Sequence, residues 1–342
     1  WKVEQGFVLK EIVLAIDVMG GDHGPKATLE GVKMASKIYP NVKFKLFGDK
    51  KLSESELKKS GLINTEFFHT DESIKSDDEP VTALRKLKKS SMRLGINNLS
   101  KSESHGFVSA GNTGALMAIS KFVLKTLNGI NRPAIAGLMP TMKGQTVILD
   151  LGANVDCSND NLVQFALMGD IFSQAVLGIQ KPKIGLLNVG SELIKGNEMV
   201  KQTHSDLTKI DNKINFHGFV EGNDINKGIV DVVVTDGFSG NIALKTAEGV
   251  AELIFTFLKN SYNSSFISKI GYLLSKPALN RFKTRIDPRK YNGAVLLGLN
   301  GIVVKSHGGT DSFGFCNAIG VAVSLIENSY INQIEKKLEL YK

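Results

Sequence analysis

A chain of 342 residues, 42% hydrophobic and 22% charged, has the composition of a globular protein with a sizeable core, which excludes a largely disordered one. Two cysteines, Cys157 and Cys316, are too few for a disulfide framework and show no paired metal-ligand spacing, so they read as small residues of a reduced, cytoplasmic interior. The formal net charge of +8 is concentrated: between residues 253 and 291 eight cations face one carboxylate, Asp287, a net of +7 that points to an acidic partner or surface.

Residues 1–10 carry no apolar run of signal-peptide length, and 1–11 are expected to form a tail. From there, short β-branched runs alternate with longer amphipathic ones. That is the pattern of a mostly parallel sheet covered by helices, expected as one α/β unit over 12–330, possibly in two lobes. The spacing predicts a strand at Ile12–Asp17, a helix at 26–39 and a strand at 42–47. A helix at 81–94 follows the acidic run Asp77-Asp78-Glu79, with Pro80 at its first turn. Next come a strand at Gly106–Ser109, a helix at 113–126, a strand at 146–151 and a helix at 162–177. The pattern continues with strands at 183–189, 215–219 and 230–235, with one helix at 196–209 and another at 240–258. Strands at Ala294–Leu297 and 302–304 and a helix at Ser312–Glu327 close the series. The uncharged stretch 293–304 has 12 residues, short of the roughly 20 that span a bilayer.

One segment breaks the alternation. Phe255, Leu258, Tyr262, Phe266, Ile270, Leu273 and Leu274 recur at mostly three- and four-residue spacing until Pro277 interrupts them. Residues 255–290 are therefore expected to protrude as a helical hairpin. Its cations Lys259, Lys269, Lys276, Arg281 and Lys283 interleave with apolar residues, Leu273 and Leu274 among them. Two readings stand: a dimer or core-covering face, and contact with an anionic membrane surface or an acidic carrier protein.

The strand ends carry the chemistry. Gly20-Gly21-Asp22-His23-Gly24 follows the first strand and opens a helix, where glycines allow close backbone approach and exposed N–H groups suit an anion. Ser109-Ala110-Gly111-Asn112-Thr113-Gly114 repeats the arrangement after another strand. Three further ends carry Asp150-Leu151-Gly152-Ala153-Asn154, Asn188-Val189-Gly190-Ser191-Glu192 and Asp236-Gly237-Phe238-Ser239-Gly240-Asn241. Ligands of open α/β sheets collect outside carboxyl strand ends. Five ends of small and amide residues describe a site for a small oxyanion and a polar carbonyl. Neither the Gly-Lys-Ser/Thr phosphate loop nor the Gly-x-Gly-x-x-Gly dinucleotide fingerprint is present at the first strand turn.

These blocks, with Arg132-Pro133-Ala134, residues 85–92, Lys195-Gly196-Asn197-Glu198 and Lys305-Ser306-His307-Gly308, resemble in order the successive motifs of the phosphate acyltransferase family, over nearly the whole chain. The resemblance implies a three-layer α/β/α Rossmann-like sandwich of the isocitrate/isopropylmalate dehydrogenase type, a homodimer, and no metal or organic cofactor. It also implies transfer of a long-chain fatty acyl group from acyl carrier protein to inorganic phosphate. The acyl phosphate would pass to a membrane glycerol-phosphate acyltransferase at the entry to phospholipid synthesis. Phe313-Gly314-Phe315-Cys316 departs from the family in being more apolar than expected ahead of a last helix, which bears on C-terminal packing.

Phosphate is already largely a dianion at neutral pH, so its attack on a thioester needs a cradle, an oxyanion stabiliser and neutralisation of the departing thiolate rather than a triad. Lys195 is the first candidate for the cation, against the plain alternative of a solvated lysine. Asn241 is the candidate carbonyl polariser, against a helix cap. Gly20, Gly21, Asp22, His23, Ser109, Gly111, Asn112, Thr113, Asn154, Ser239, Gly240 and His307 are candidates for phosphate or substrate contact. Asp22, Asp150 and Asp236 read mainly as loop-ordering groups. Three rivals remain: an acetyl- or butyryltransferase using acyl-CoA, a dehydrogenase on the related fold, and a nucleic-acid-binding module. Against the last, the cations interleave with aliphatics more than with stacking aromatics, and the glycine-rich strand ends would be left unexplained.

Overall fold

Side chains along a strand point alternately to the two faces of its sheet. In β1 (Ile12–Asp17), Ile12, Leu14 and Ile16 accordingly join one buried cluster while Ala15 joins another. The computed structural model describes residues 11–341 except 211, so all but Glu11 of the expected tail lies outside the described residues.

After β1 come α1 (Gly24–Ile38), β2 (Val42–Gly48), α2 (Lys50–Ser60), β3 (Thr65–His69), α3 (Pro80–Lys86), α4 (Ser91–Ser100), β4 (Gly106–Ser109) and α5 (Thr113–Leu124). The chain continues through β5 (Ala134–Pro140), β6 (Gln145–Leu149), α6 (Asn159–Leu177), β7 (Lys183–Leu187), α7 (Glu198–Lys209), β8 (Asn215–Val220), α8 (Gly222–Lys227) and β9 (Val232–Val234). It ends with α9 (Gly237–Asn263), α10 (Phe266–Ile286), a 3-10 turn (Pro288–Tyr291), β10 (Ala294–Leu297), β11 (Ile302–Lys305), α11 (Ser312–Glu327) and α12 (Tyr330–Tyr341).

The strands form one sheet in the order β3-β2-β1-β4-β11-β10-β5-β6-β9-β7-β8. β10 lies antiparallel to both neighbours and β5 antiparallel to β6. The outer pairs are parallel on each side. The carboxyl ends of β1, β4 and β11 therefore emerge side by side, and so do those of β6, β9 and β7, which run in the opposite sense. One face is covered by α1, α6, α7, α11 and α12, and the other by α4, α5 and the root of α9, which gives three layers.

Several expectations need correction. The helix expected at 81–94 is two helices, because Ser90 accepts a hydrogen bond from the Arg93 N–H and starts α4 afresh. β3, β5, α2, α8 and α12 were not expected. Apolar content is thin in α2, which is fixed by its caps: Asp49 accepts from the N–H groups of Lys51 and Leu52, and Gly61 turns left-handed at φ 62°. α10 runs straight through Pro277 instead of stopping there. The missing N–H leaves the Leu273 carbonyl without a helical donor, on an exposed arm where water serves. α11 has the expected bounds, and the apolar Phe313-Gly314-Phe315-Cys316 at its start is accounted for by burial of Phe315 and Cys316 against the sheet.

Candidate active site

The ends of β1, β4 and β11 meet backbone to backbone. A Cβ on Gly20 would stand 2.5 Å from the Gly111 nitrogen, so only glycine lets these two turns touch. The Asp22 N–H donates to the Gly308 carbonyl at 2.9 Å, which ties in the third turn. Beneath them lies Asp17, fully buried, accepting from the hydroxyls of Ser91 and Ser109 at 2.7 Å each and from the Met19 N–H at 3.2 Å. Burial pushes its carboxyl above the usual range, against the pull of those hydrogen bonds. Beside it Lys305, 9% exposed, donates to the carbonyls of Ala110 and Ser306. Burial pushes its ammonium down to about 8, opposed by the charges of Asp17 and Asp22.

Three helices begin at these ends. α1 starts behind His23, whose side chain makes no capping bond; α5 starts behind Asn112, and α11 behind Asp311. The Gly24, Ala115 and Gly314 N–H groups are taken up by Gly21, Asn112 and Asp311, and Pro25 has none, so the helix dipoles and the remaining first-turn N–H groups of α5 and α11 are what favour an anion here. His307 is exposed, its Nδ1 accepting from the Gly309 N–H at 3.1 Å. Thr113 is exposed at the first turn of α5. Two candidates are committed elsewhere: Ser109 to Asp17, and Asn112 to the loop before α3, donating to the carbonyls of Ser76 at 2.9 Å and Asp78 at 3.0 Å.

The second group sits at the ends of β6, β9 and β7. Asp150 is fully buried and accepts from Ile135, Ala153 and Asn154 N–H groups at 2.9, 3.1 and 2.7 Å, with the Asn154 amide at 2.9 Å. That amide also donates to the Pro133 carbonyl at 2.7 Å, so Asn154 holds the loop rather than facing solvent. Asp236 caps α9 through the Ser239 N–H and hydroxyl, at 2.8 and 2.9 Å. A Cβ on Gly240 would lie 2.0 Å from the Asp150 carbonyl oxygen, so glycine is what lets the helix root sit on that loop. The cap being Asp236, Asn241 is left exposed on the next turn, its amide about 4 Å from where a Gly152 side chain would stand.

Lys195 lies on the loop after β7, folded around Asn188, whose amide donates to the Gly190 and Lys195 carbonyls at 3.0 and 3.1 Å. Its ammonium pairs with Glu192 at 3.1 Å and is half exposed, a weak solvated ion pair beside the second group. Burial first, then the charge of Asp150, pushes the Cys157 thiol up to about 11, which disfavours its thiolate.

The two groups share a face. Met117 of α5 and Ala243, Leu244 and Ala247 of α9 pack on one cluster that includes Ile135, Met139, Ile148 and Leu151. Helices rising from the first and second groups thus flank the same floor of β5 and β6. β4 and β9 are five steps apart in the sheet.

Sequence reasoning passed over Asp17, Ser91 and Lys305. The signal for Lys305 was its place directly after Ile302-Val303-Val304 and before Ser-His-Gly, at the end of a buried strand.

The hairpin of α9 and α10 stands clear of the sheet. Nothing in α10 is buried, and in α9 only Gly237 and Gly240 are. Phe266, Ile267, Leu273 and Leu274 are 65–80% exposed near its tip, among Lys259, Lys269 and Lys276. The arms pack on each other through Phe255–Phe282 and Tyr262–Tyr272 ring contacts at 6.0 and 5.5 Å. At its exit Arg289 bonds both Asp287 and Asp311, which ties the hairpin base to the cap of α11. Arg281 and Lys283 are exposed on the returning arm. Among the described residues no helix is long and apolar enough to cross a membrane, and no group of three or more His, Cys, Asp or Glu side chains could hold a metal ion.

A family model described as fatty acid synthesis protein matches residues 12–333. A phosphate acyltransferase of Paramagnetospirillum magneticum is 55% identical over 333 residues, covering 97% of this chain and 95% of that protein. Among solved structures, a phosphotransacetylase from Streptococcus pyogenes superposes with a TM-score of 0.61 at 16% identity, covering 93% of this chain and 94% of that one. A Salmonella typhimurium protein described as a 4-hydroxythreonine-4-phosphate dehydrogenase gives 0.54 at 12% identity, covering 92% and 99%. At those identities the two structures speak for the fold alone.

Proposed function

The chain belongs to the phosphate acyltransferase family, and from that premise we propose that it moves a long-chain fatty acyl group from the thioester of acyl carrier protein to inorganic phosphate. The observation that carries this reading is the first group of strand ends, where three helix N-termini and a buried lysine meet at touching glycines.

A phosphate oxygen attacks the thioester carbonyl, forming the C–O bond and a tetrahedral oxyanion. The C–S bond then breaks, and the electron pair leaves on the carrier's thiolate, which takes a proton from solvent or from a nearby acid. Phosphate sits at the first group, against the turns of Gly20, Gly21 and Gly111, with Thr113, His23 and His307 at its edge. Asn241 offers its amide N–H to the carbonyl oxygen as charge develops there, and Lys195 swings from Glu192 to neutralise the thiolate. Ser109, Asn112, Asn154, Ser239 and Gly240 hold these turns in place.

The protruding hairpin fits an anionic membrane surface: its tip is apolar and ringed with lysines. In this reading the enzyme is a cytoplasmic homodimer that docks peripherally and passes acyl phosphate to a membrane glycerol-phosphate acyltransferase. An acetyl-CoA-using enzyme would have no use for such a tip.

A thioester-release assay tests the function. Purified protein with palmitoyl carrier protein should release thiol only when phosphate is present, with acyl phosphate formed one for one. Asn241→Ala and Lys195→Ala should each lower kcat on the order of a hundredfold, the worth of one oxyanion or leaving-group contact. Turnover of acetyl-CoA but not of the carrier thioester would overturn the reading.

A further inference from the structure

Lys305 is the only lysine or arginine among the buried described residues. It closes β11 between the turns after β1 and β4, and no carboxylate stands within ion-pair distance of it among those residues. Two of its three N–H bonds reach backbone carbonyls, of Ala110 and Ser306, and the third has no acceptor among the described residues. A buried ammonium without a contact counter-ion is costly, because desolvation is uncompensated. Asp17 offsets the charge only from a distance, its own oxygens being taken up by Ser91, Ser109 and Met19.

We propose that Lys305 is a binding residue for the attacking phosphate: its remaining N–H and its charge complete an anion site whose other donors are first-turn N–H groups of α5 and α11. The proposal rests on the function given above. In it, the dianion is the counter-ion the lysine lacks, and Asp17 is a positioning residue that fixes Ser109 and the turn ending at Gly111, where the Gly111 N–H donates to the Ser109 hydroxyl at 3.0 Å. The lysine thereby contributes to holding the nucleophile, in a place that a solvated side chain such as Lys195 does not occupy.

The charge state gives a second readout. With its ammonium pushed down to about 8 by burial, Lys305 loses its proton as pH rises through that value, and phosphate binding weakens there. β4 and β10, packed on β11, carry no titratable side chain; α5 brings Lys121 and α11 brings Cys316 and Glu327. Asp17, Asp22, His23, Asp311 and His307 complete the titratable groups of the adjoining turns. Asp17 and Asp22 favour the charged form of the lysine.

The test compares wild type with Lys305→Met and with the double variant Asp17→Asn/Lys305→Met, which removes both buried charges should the single variant fold poorly. KM for phosphate should rise about 10- to 100-fold, the worth of one charge-assisted hydrogen bond, while KM for the acyl donor stays within about twofold. The rise in Tm that added inorganic phosphate gives the wild type should disappear, and the wild-type increase in phosphate KM above pH 8 should flatten. A folded variant that keeps the wild-type KM for phosphate and the wild-type Tm shift overturns the assignment. Wild-type protein that shows the Tm shift but no phosphate-dependent acyl release would instead sink the function and leave the site standing.

Discussion

Asp17 and Asp150 close strands in the two halves of the sheet, both are buried, and burial raises both carboxyls above the usual range. Their surroundings differ in donors and in charge. Asp150 is met only by N–H donors, mostly backbone, whereas Asp17 has Lys305 nearby. A carboxylate enclosed by backbone donors shapes a loop and has nothing left to offer a ligand. A carboxylate set near a buried cation lets that cation remain inside the protein with one donor unused. In the proposed mechanism the first group receives the anion, while the second presents the exposed Asn241 and Lys195.

On that contrast, the largest effect belongs to Asp150→Ala. It strands several buried N–H groups at once, and at about 1–3 kcal/mol for each unsatisfied donor, with incomplete additivity, the loss should reach about 4 kcal/mol or more. Chemical denaturation would register it, and a loss below about 1 kcal/mol would refute the scaffold role. Asp150→Asn, which keeps one acceptor oxygen, should fall between.

A smaller effect sharpens the contrast through pH. Lys305 has its folded pKa lowered to about 8 from 10.5, so between those values the unfolded chain binds more protons than the native one. Stability due to this residue must then rise as pH climbs from 8 to 10.5, by up to about 3 kcal/mol. The difference in unfolding free energy between wild type and Lys305→Met should follow that slope. A flat difference would mean that the lysine is hydrated.

The smallest effect on stability is expected at the hairpin tip. Leu273→Ser with Leu274→Ser should change unfolding free energy by no more than about 0.5 kcal/mol, since both side chains are exposed. Sedimentation with vesicles rich in anionic lipid should nevertheless show reduced binding. Unchanged binding would assign the tip to another partner.

Where local pattern decides structure, the sequence was readable: Ile12–Asp17, Gly106–Ser109 and Ala294–Leu297 fall where short apolar runs lead into glycine turns. β5 was missed because Gly137 and Pro140 mask its alternation, and its place between β10 and β6 is set by long-range pairing. The candidate site was legible as residue types at strand ends. Which of them face a ligand was not, because Asn112 and Asn154 turn their amides to backbone carbonyls that are distant or hidden in sequence. A lysine after three aliphatic residues looks like the solvated end of a strand. Only the packing of three turns around it shows that Lys305 is enclosed.

α9 has one further consequence. A single unbroken helix carries Asn241 at its root and ends at Asn263, about 33 Å away at 1.5 Å per residue. The direction in which the hairpin faces is therefore a phase angle, counted in residues from the sheet. Each residue added to or removed from the exposed stretch would swing the tip by about 100° around the helix axis while leaving Asn241 where it stands. Length variation here is tolerable only in steps that nearly close a whole number of turns.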